Sequence, residues 1–369
     1  MSNTQKKNVP ELRFPGFEGE WEEKKLEDII KVNSGKDYKH LDKGDIPVYG
    51  TGGFMTSVSE PLSEIDAVGI GRKGTINKPY LLEAPFWTVD TLFYCTPKKE
   101  TDILFILSLF RKINWKVYDE STGVPSLSKQ TINKINRFVP TNKEQQKIGK
   151  FFSKLDRQIE LEEQKLELLQ QQKKCYMQKI FSQELRFKDE NGNDYPEWEE
   201  KMIKDVYEIT RGLVLSKKLI SKKTNDVNKY PVYSSQTTNN GLMGYYSNYL
   251  YKDSITWTTD GANAGSVSYR SGKFYCTNVC GVLINEKGNS NLCMSEMLNR
   301  IAFKHVSKVG NPKLMNNVMA MVKLNFPCIE EQLKIARFIE AVEKNIVNQE
   351  RKIDLLKQVK NGLLQKMFI

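Results

Sequence analysis

Histidine is almost missing from this chain: His40 and His305 are the only two in 369 residues. Neither has an obvious nucleophile partner, so both read as ordinary surface or core histidines, and Ser-His or Cys-His catalysis has little to work with. Cysteine is sparse as well, six residues with no C-x-x-C pair and no disulfide-like spacing. Cys276, Cys280, Cys293 and His305 are zinc donors in principle. Cys276 and Cys280 lie in FYCTNVCGVLI, however, where strand parity puts both on one face, and buried thiols are the better reading. Long apolar runs are also lacking. The longest, residues 103–110, is far too short to span a bilayer, and the opening MSNTQKKNVPELRF has no apolar signal core. The expectation is a cytoplasmic protein with no membrane partner.

A cofactor signature is present only in part. GIGRKG, residues 69–74, fits G-x-G-x-x-G, which has mechanical meaning where a strand runs into the glycines and a helix leaves them. The stretch that follows, TINKPYLLEAPFWTVDTLFY, is rich in β-branched and aromatic residues, is broken by Pro79 and Pro85, and has no helical stripe. Asp90 lies loosely where an acidic ribose ligand would be sought, and one carboxylate adds little. The loop needs another role.

What is present is charge, core and repetition. Fifty-six Lys and Arg against 45 Asp and Glu leave a net charge of +11, which favours an acidic partner such as nucleic acid. With 39% apolar residues and 10% aromatics, the chain can bury real cores, and its length suggests two or three domains.

The chain is written twice. Residues 140–181, opening PTNKEQQKIGKFF, align without a gap to residues 327–368, opening PCIEEQLKIARFI. The register pairs Glu144 and Gln145 with Glu331 and Gln332, Ile148 with Ile335, Phe151 with Phe338, and Phe181 with Phe368. Upstream the echo is fainter: LRF at Leu12 and Leu185, WEEK at Trp21 and Trp198, PVY at Pro47 and Pro231, and GVPSL answered by GNPKL. Each half is thus a strand-rich globe of mixed character closed by a helix. WEEKKLEDI and WEEKMIKDV predict a short helix or turn opening each globe, and ILFILSLFRKI and LCMSEMLNRIAF a helix in its second part.

The two closing helices carry a heptad seam. In the first it runs Ile148, Phe152, Leu155, Ile159, Leu166, Leu169, Tyr176 and Ile180, interrupted at Glu162 and Lys173. In the second it runs Ile335, Ile339, Val342, Ile346, Ile353, Leu356, Leu363 and Met367, interrupted at Gln349 and Lys360. A parallel pairing sets Lys173 beside Lys360. An antiparallel one sets Glu162 against Lys360, Lys173 against Gln349, Leu166 against Leu356, Leu169 against Ile353, Ile159 against Leu363 and Tyr176 against Ile346. It also maps onto itself when the halves are exchanged, which predicts a pseudo-twofold axis. Helices of roughly forty residues are rods of about 60 Å, and a globe at either end makes a dumbbell.

Two variable globes, each followed by a near-copy of a helix opening P-x-x-x-EQ-x-K-I, resemble the specificity subunit of type I restriction-modification systems. LRFPGFEGEWEEKKL and LRFKDENGNDYPEWEEKMI are similar to the starts of that family's target recognition domains, and GRKGTI to a loop inside them. The resemblance covers essentially the whole chain. It implies an α+β, mixed α/β fold of two target recognition domains, residues 1–140 and 183–327, joined by two long antiparallel coiled-coil helices, 141–182 and 328–369. It further implies a subunit that does no chemistry: each domain reads half of a split, asymmetric site on double-stranded DNA. The helices set the spacer and dock two methyltransferase subunits, and restriction subunits join that core. The chain itself would carry no cofactor. S-adenosylmethionine belongs to the partner methyltransferase, and ATP and Mg to the restriction subunit. In keeping with this, the sequence has no G-x-x-x-x-G-K-[ST], no H-E-x-x-H and no N-P-P-Y string of an adenine methyltransferase.

Against that background the GIGRKG glycines allow a tight turn and close approach to DNA, with Arg72 suited to a guanine edge and Lys73 to a phosphate. The alternative is a plain turn with solvated charges. TTDGANAGSV stands at the corresponding point of the second globe, with Asn263 in place of the arginine. An amide suits adenine, so the half-sites should differ. Tyr49, Thr51 and Phe54, answered by Tyr233, Ser235, Gln236 and Asn239, are base-reading candidates whose aromatics serve equally well as core. Lys31, Asn33, Lys36 and Arg211, with Lys129, Lys308 and Lys313, are phosphate candidates. Leu155, Ile159, Glu162, Leu166, Leu169, Lys173, Ile346, Gln349, Ile353, Leu356, Lys360 and Leu363 are the coiled-coil and subunit-docking positions. The rival readings are a self-contained nuclease or methyltransferase, which lacks a visible acidic metal cluster or cofactor loop, and a coiled-coil scaffold that does not bind DNA.

Overall fold

A computed structural model describes residues 8–235 and 238–369. The chain divides into two compact units, one of residues up to Lys165 with Gln349–Ile369, the other Leu166–Asn348. Each unit therefore takes a share of both long helices, Asn142–Phe181 and Ile329–Met367.

The two units repeat one plan. In the first, an antiparallel sheet has the order Ile30–Ser34, Leu92–Pro97, Ala67–Gly71, Tyr80–Leu82. A second sheet holds Gly53–Val58, Ile46–Gly50 and Trp87–Thr88, the last pairing parallel. In the second unit the same order recurs as Glu208–Arg211, Cys280–Ile284, Tyr251–Thr258, Val267–Cys276. There Val267–Cys276 runs on without a break to pair with Tyr230–Tyr233, so the two sheets merge into one of six strands that ends at Leu242–Tyr246. In the first unit the matching strand is interrupted around Pro85, which lacks the N–H a ladder needs.

The helices expected in the second part of each globe are present at Ile103–Lys112 and Leu292–Ala302. Asp102 and Asn291 cap them, accepting from the backbone N–H of Phe105 and Met294. The short helix or turn expected over WEEKKLEDI and WEEKMIKDV is present in the second half of each, and the WEEK halves differ. They lead into strands, Glu22–Lys25 paired with Asn136–Val139 and Glu199–Met202 paired with Lys323–Phe326, followed by single helical turns at Leu26–Ile29 and Ile203–Val206. A partner strand far along the chain overrides their local helix-like pattern.

Both cores draw on the same elements of their unit. The first packs Trp21, Phe105 and Phe110 with Ile148 and Phe152 of one helix, Leu364 and Met367 of the other, and Phe368 just past its end. The second packs Ile203, Trp257 and Met297 with Ile335 and Ile339 of one helix and Met177 and Ile180 of the other. In each unit the start of one helix thus meets the end of the other, the antiparallel arrangement expected.

The alignment along the helices is different from the expected one. Glu162 does not face Lys360: it accepts from Gln349 Nε2 at 2.7 Å and pairs with Lys352. Lys360 pairs with Asp156, and Lys173 reaches Glu343 at 2.8 Å instead of Gln349. The helices therefore sit about one heptad from the anticipated register. Opposite charges favour this choice, because both seam lysines now meet a carboxylate, whereas the expected register gave Lys173 only the amide of Gln349. Asp156 and Glu343 are themselves repeat-equivalent, so one ion pair is made twice. Tyr176 is exposed with its ring against Phe338, and Met177 takes the buried seam position. Ile159 and Ile353 are buried, and Leu155, Leu166, Leu169, Ile346, Leu356 and Leu363 are half-buried, as a seam requires.

The repeated LRF and EQ motifs meet in space. Arg13 donates from Nε and Nη2 to Glu144 at 2.8 and 2.7 Å, and Arg186 in the same way to Glu331 at 3.2 and 2.8 Å. Both carboxylates are fully covered. The adjacent Gln145 and Gln332 donate to the carbonyls of Pro140 and Pro327. Their oxygens accept from the Asp102 backbone and the Asn291 side chain, the caps of the preceding helices. The motif is a latch that fixes each long helix to its globe.

Candidate nucleic-acid interface

The candidates of the first unit gather around one turn, residues 88–92. Gly35 and Lys36 bind it from one side, donating to the carbonyls of Leu92 and Thr88. From the other side the Arg72 backbone donates to Thr91, and the Arg72 side chain to the Asp90 carbonyl at 3.4 Å. Val89 donates to Tyr49, which ties in the hairpin that carries Thr51 and the exposed Phe54. Gly35 is required here: a Cβ would lie 2.0 Å from the Val89 carbonyl oxygen. Gly212 plays the same part in the second unit, where a Cβ would lie 2.2 Å from the Cys276 oxygen. No helix leaves GIGRKG. The strand Ala67–Gly71 runs into it, and the next element is the strand Tyr80–Leu82.

Arg72 and Lys129 both lie over the ring of Phe93, at 5.9 and 6.0 Å, and Lys73 bridges to Ser126 beside them. Arg72, Lys73 and Lys36 are exposed, and Lys129 is half-buried. Among the described residues none of these four pairs with a carboxylate. The surface is cationic and open, the state suited to phosphates and guanine edges. Asn33 is not part of it, since its amide is spent on the carbonyls of Lys31 and Tyr94 and on Thr96. Lys31 is exposed on the same strand.

The second unit builds the same turn at residues 277–279. Gly212 and Leu213 donate to Cys280 and Cys276, Thr277 to Tyr233, and the Arg211 guanidinium to Asn278 at 3.0 Å. The backbone donor matching Arg72 is Thr259, which bonds Val279. Gly261 bonds Pro312 as Gly74 bonds Pro125, and Leu314 returns to Thr259 as Leu127 returns to Arg72. Asn263 is therefore not the counterpart of Arg72: it lies farther along a longer loop and donates to the Ser235 carbonyl at 2.9 Å. At the position of Lys73 stands Asp260, which pairs with Lys313 at 4.0 Å. Lys308 is exposed nearby, over Phe303 at 5.5 Å. Asn239 and Asn240 both adopt left-handed conformations, and Gln236 lies outside the described residues.

Sequence reasoning missed one residue here. Arg270 is only 8% exposed and stacks over Tyr233 at 3.9 Å. A strand arginine reads as solvent-facing, and only the register against the first unit reveals its inward position. The cysteine reading also needs correction in its geometry. Cys276 ends one strand and Cys280 begins the next, yet both lie in one apolar cluster with Phe274 and Val282. Burial pushes the Cys280 thiol up to about 11, and no group of the described residues has the make-up of a metal site. No helix among those residues is long and apolar enough to cross a membrane.

Comparison with known proteins accords with this duplicated plan. The family model described as the type I restriction modification DNA specificity domain matches residues 18–171 and again 195–358. A Mycoplasma pneumoniae chain described as the type I specificity subunit S.MpnORF365P is 36% identical over 231 residues, 60% of this chain and 80% of the relative. Another from that organism, S.MpnORF507P, is 38% identical over 161 residues, 43% of each chain, so this match spans less than half of the relative's length. The crystal structure of the S subunit of a type I restriction-modification system from M. genitalium superposes with a TM-score of 0.71 over 98% of this chain and 99% of that one. At 14% identity the likeness is one of fold.

Proposed function

The chain belongs to the type I restriction modification DNA specificity family, and on that premise we propose that it reads a split, asymmetric site on double-stranded DNA. Residues 1–140 form the target recognition domain for one half-site and residues 183–327 that for the other. Residues 141–182 and 328–369 form the coiled coil that sets the spacer and docks two methyltransferase subunits, with restriction subunits joining the core. The chain is the non-catalytic member of that assembly. S-adenosylmethionine is used by the methyltransferase, ATP and Mg by the restriction subunit, and the complex works in the cytoplasm.

The observation that carries this reading is a constant frame with diverged chemistry. Both units hold a glycine-anchored turn at the same point of the same sheet, but Arg72, Lys73 and Lys129 stand beside it in one, and Thr259, Asp260 and Asn316 at the matching positions of the other. Diverged groups on a constant frame read different sequences, because guanidinium and carboxylate groups select different base edges.

The test is co-expression with the neighbouring methyltransferase subunit and sequencing of N6-methyladenine in host DNA. The expected result is one bipartite motif that changes in one half only when residues 185–326 are exchanged for those of another family member. Absence of methylation and of a stable complex would put a scaffold or DNA-binding adaptor outside restriction-modification in its place.

A further inference from the structure

In the second unit a guanidinium occupies a place that the first unit fills with hydrocarbon. The strand registers make the equivalence. Trp257 lies opposite Gly281 as Ile70 lies opposite Phe93, and along the same strands Ser254 faces Arg270 as Ala67 faces Leu82. Leu82 is fully buried in a cluster with Ala67, Phe86 and Leu92. Arg270 donates from Nε to Thr256 Oγ1 at 3.0 Å and from Nη1 to the Asn240 carbonyl at 2.9 Å, and its Cζ lies 3.9 Å from the centre of the Tyr233 ring. No carboxylate among the described residues pairs with it. Burial holds its pKa below the ordinary arginine value, though a guanidinium remains a cation at neutral pH.

A buried charge without a counter-charge is costly, and a leucine at the equivalent position shows that this fold does not need one there. Beside it lies a cavity of about 270 Å³ lined by Ser234, Asn263, Ser268, Asn299 and Arg270 among others, groups that can donate hydrogen bonds and include no carboxylate. Ser268 stands at the register position of Tyr80, whose ring in the first unit packs on Tyr49 and whose hydroxyl reaches Gly50. A small side chain there leaves room where the first unit has an aromatic ring. Asn263 keeps a second amide hydrogen beyond the one given to Ser235. The guanidinium is recessed, so a ligand must come to it, which a projecting phosphate oxygen can do and a base edge inside a groove cannot.

From this we infer that the cavity seats one phosphate group, with Arg270 as its counter-charge and Asn263 and Ser268 as further donors, the Ser268 hydroxyl turning to it from a long 3.4 Å bond to Asn240 Oδ1. A phosphodiester of the DNA backbone is its source, a step that rests on the DNA-reading function. The Asn239–Asn240 loop positions Arg270 by supplying the carbonyl that orients it.

The experiment has two arms, both on the full chain. In the first, inorganic phosphate is titrated against chloride at equal ionic strength while thermal unfolding is followed for the wild type, Arg270→Leu and Ser268→Ala. The inference expects phosphate to raise the melting temperature of the wild type, less so of Ser268→Ala, and not of Arg270→Leu. An equal response in all three overturns it, and Ser268→Ala keeps this arm decisive if Arg270→Leu folds poorly. In the second arm, duplexes carrying the methylated motif have single phosphates replaced by neutral methylphosphonates. One position is expected to weaken wild-type binding about tenfold, the worth of one charge-assisted bond, and to leave Arg270→Leu unaffected. Relaxation of one base pair of the motif in Arg270→Leu, with no phosphate position lost, would make it a base reader and overturn the assignment. Failure of the wild type to bind any duplex, with the phosphate response intact, would refute the DNA-reading function and leave the cavity a phosphate site.

Discussion

Ile70 packs opposite Phe93 in the first unit, and Trp257 packs opposite Gly281 in the second. The large residue has changed strands. Gly281 cannot regain a side chain, because a Cβ there would lie 2.1 Å from the Trp257 ring. One large ring is kept in this layer of each sheet, but the consequences for the surface differ. Phe93 gives the first unit a ring beneath Arg72 and Lys129, and so a raised cationic shelf. The second unit has no such ring. It pairs Asp260 with Lys313 and withdraws one unpaired cation, Arg270, into a cavity. One frame thus carries an exposed and a recessed version of positive charge.

The sharpest way to break this comparison is to exchange the buried residues. Leu82→Arg places an unpaired cation in a hydrocarbon cluster and should destabilise the first unit by on the order of 4 kcal/mol. Arg270→Leu should cost less than about 1 kcal/mol, since it restores the first unit's choice. Denaturant unfolding of the two variants measures both. Equal losses would show that the two positions are not equivalent.

The latches come next in size. Arg13→Ala should cost about 3 kcal/mol by stranding the fully buried Glu144. Arg186→Ala should cost about 1 kcal/mol less, because Trp198 also donates to Glu331, whereas the matching Trp21 indole has no partner among the described residues. The order of the two denaturation midpoints checks this.

Removal of the shelf residues should affect DNA rather than folding. Arg72→Ala is expected to relax one base pair of the methylated motif by about 1–3 kcal/mol, while Thr259→Ala leaves the motif intact. Lys129→Ala should weaken binding to all sequences alike and lower the salt slope by about one. An unchanged slope would make Lys129 a bystander.

The smallest effect lies in the helix seam. Hydrogen bonding from Gln349, and then Lys352, holds the Glu162 carboxyl below the usual carboxylate range. A depressed carboxylate stabilises the fold above its unfolded value of about 4.3, and that stability is lost as pH falls through the folded value. Glu162→Gln should therefore flatten the decline of melting temperature with acidification, a shift that parallel melts of wild type and variant would detect.

Much of this was legible in the chain. The gapless repeat exposed both long helices, their polar interruptions and their antiparallel sense, because a seam of period 3.5 is a local signal. LRF and EQ were visible as echoes, but their union as an ion pair was not, since nothing local links Arg13 to Glu144. WEEK was legible only as part of the short helix or turn that LEDI and IKDV do form, because its strand partners lie far along the chain. Asn263 was matched to Arg72 by proximity in the sequence, whereas the backbone bonds of Thr259 to Val279 and of Gly261 to Pro312 decide the equivalence.

The sequence by itself determined that there are two copies and which segments close them. Those facts rest on composition and periodicity, which need no partner. Tertiary structure alone decided the helix register, the pairing of the latches and the inward turn of Arg270. Each depends on which charge meets which across a packed interface, and that depends on distances between residues the chain keeps far apart.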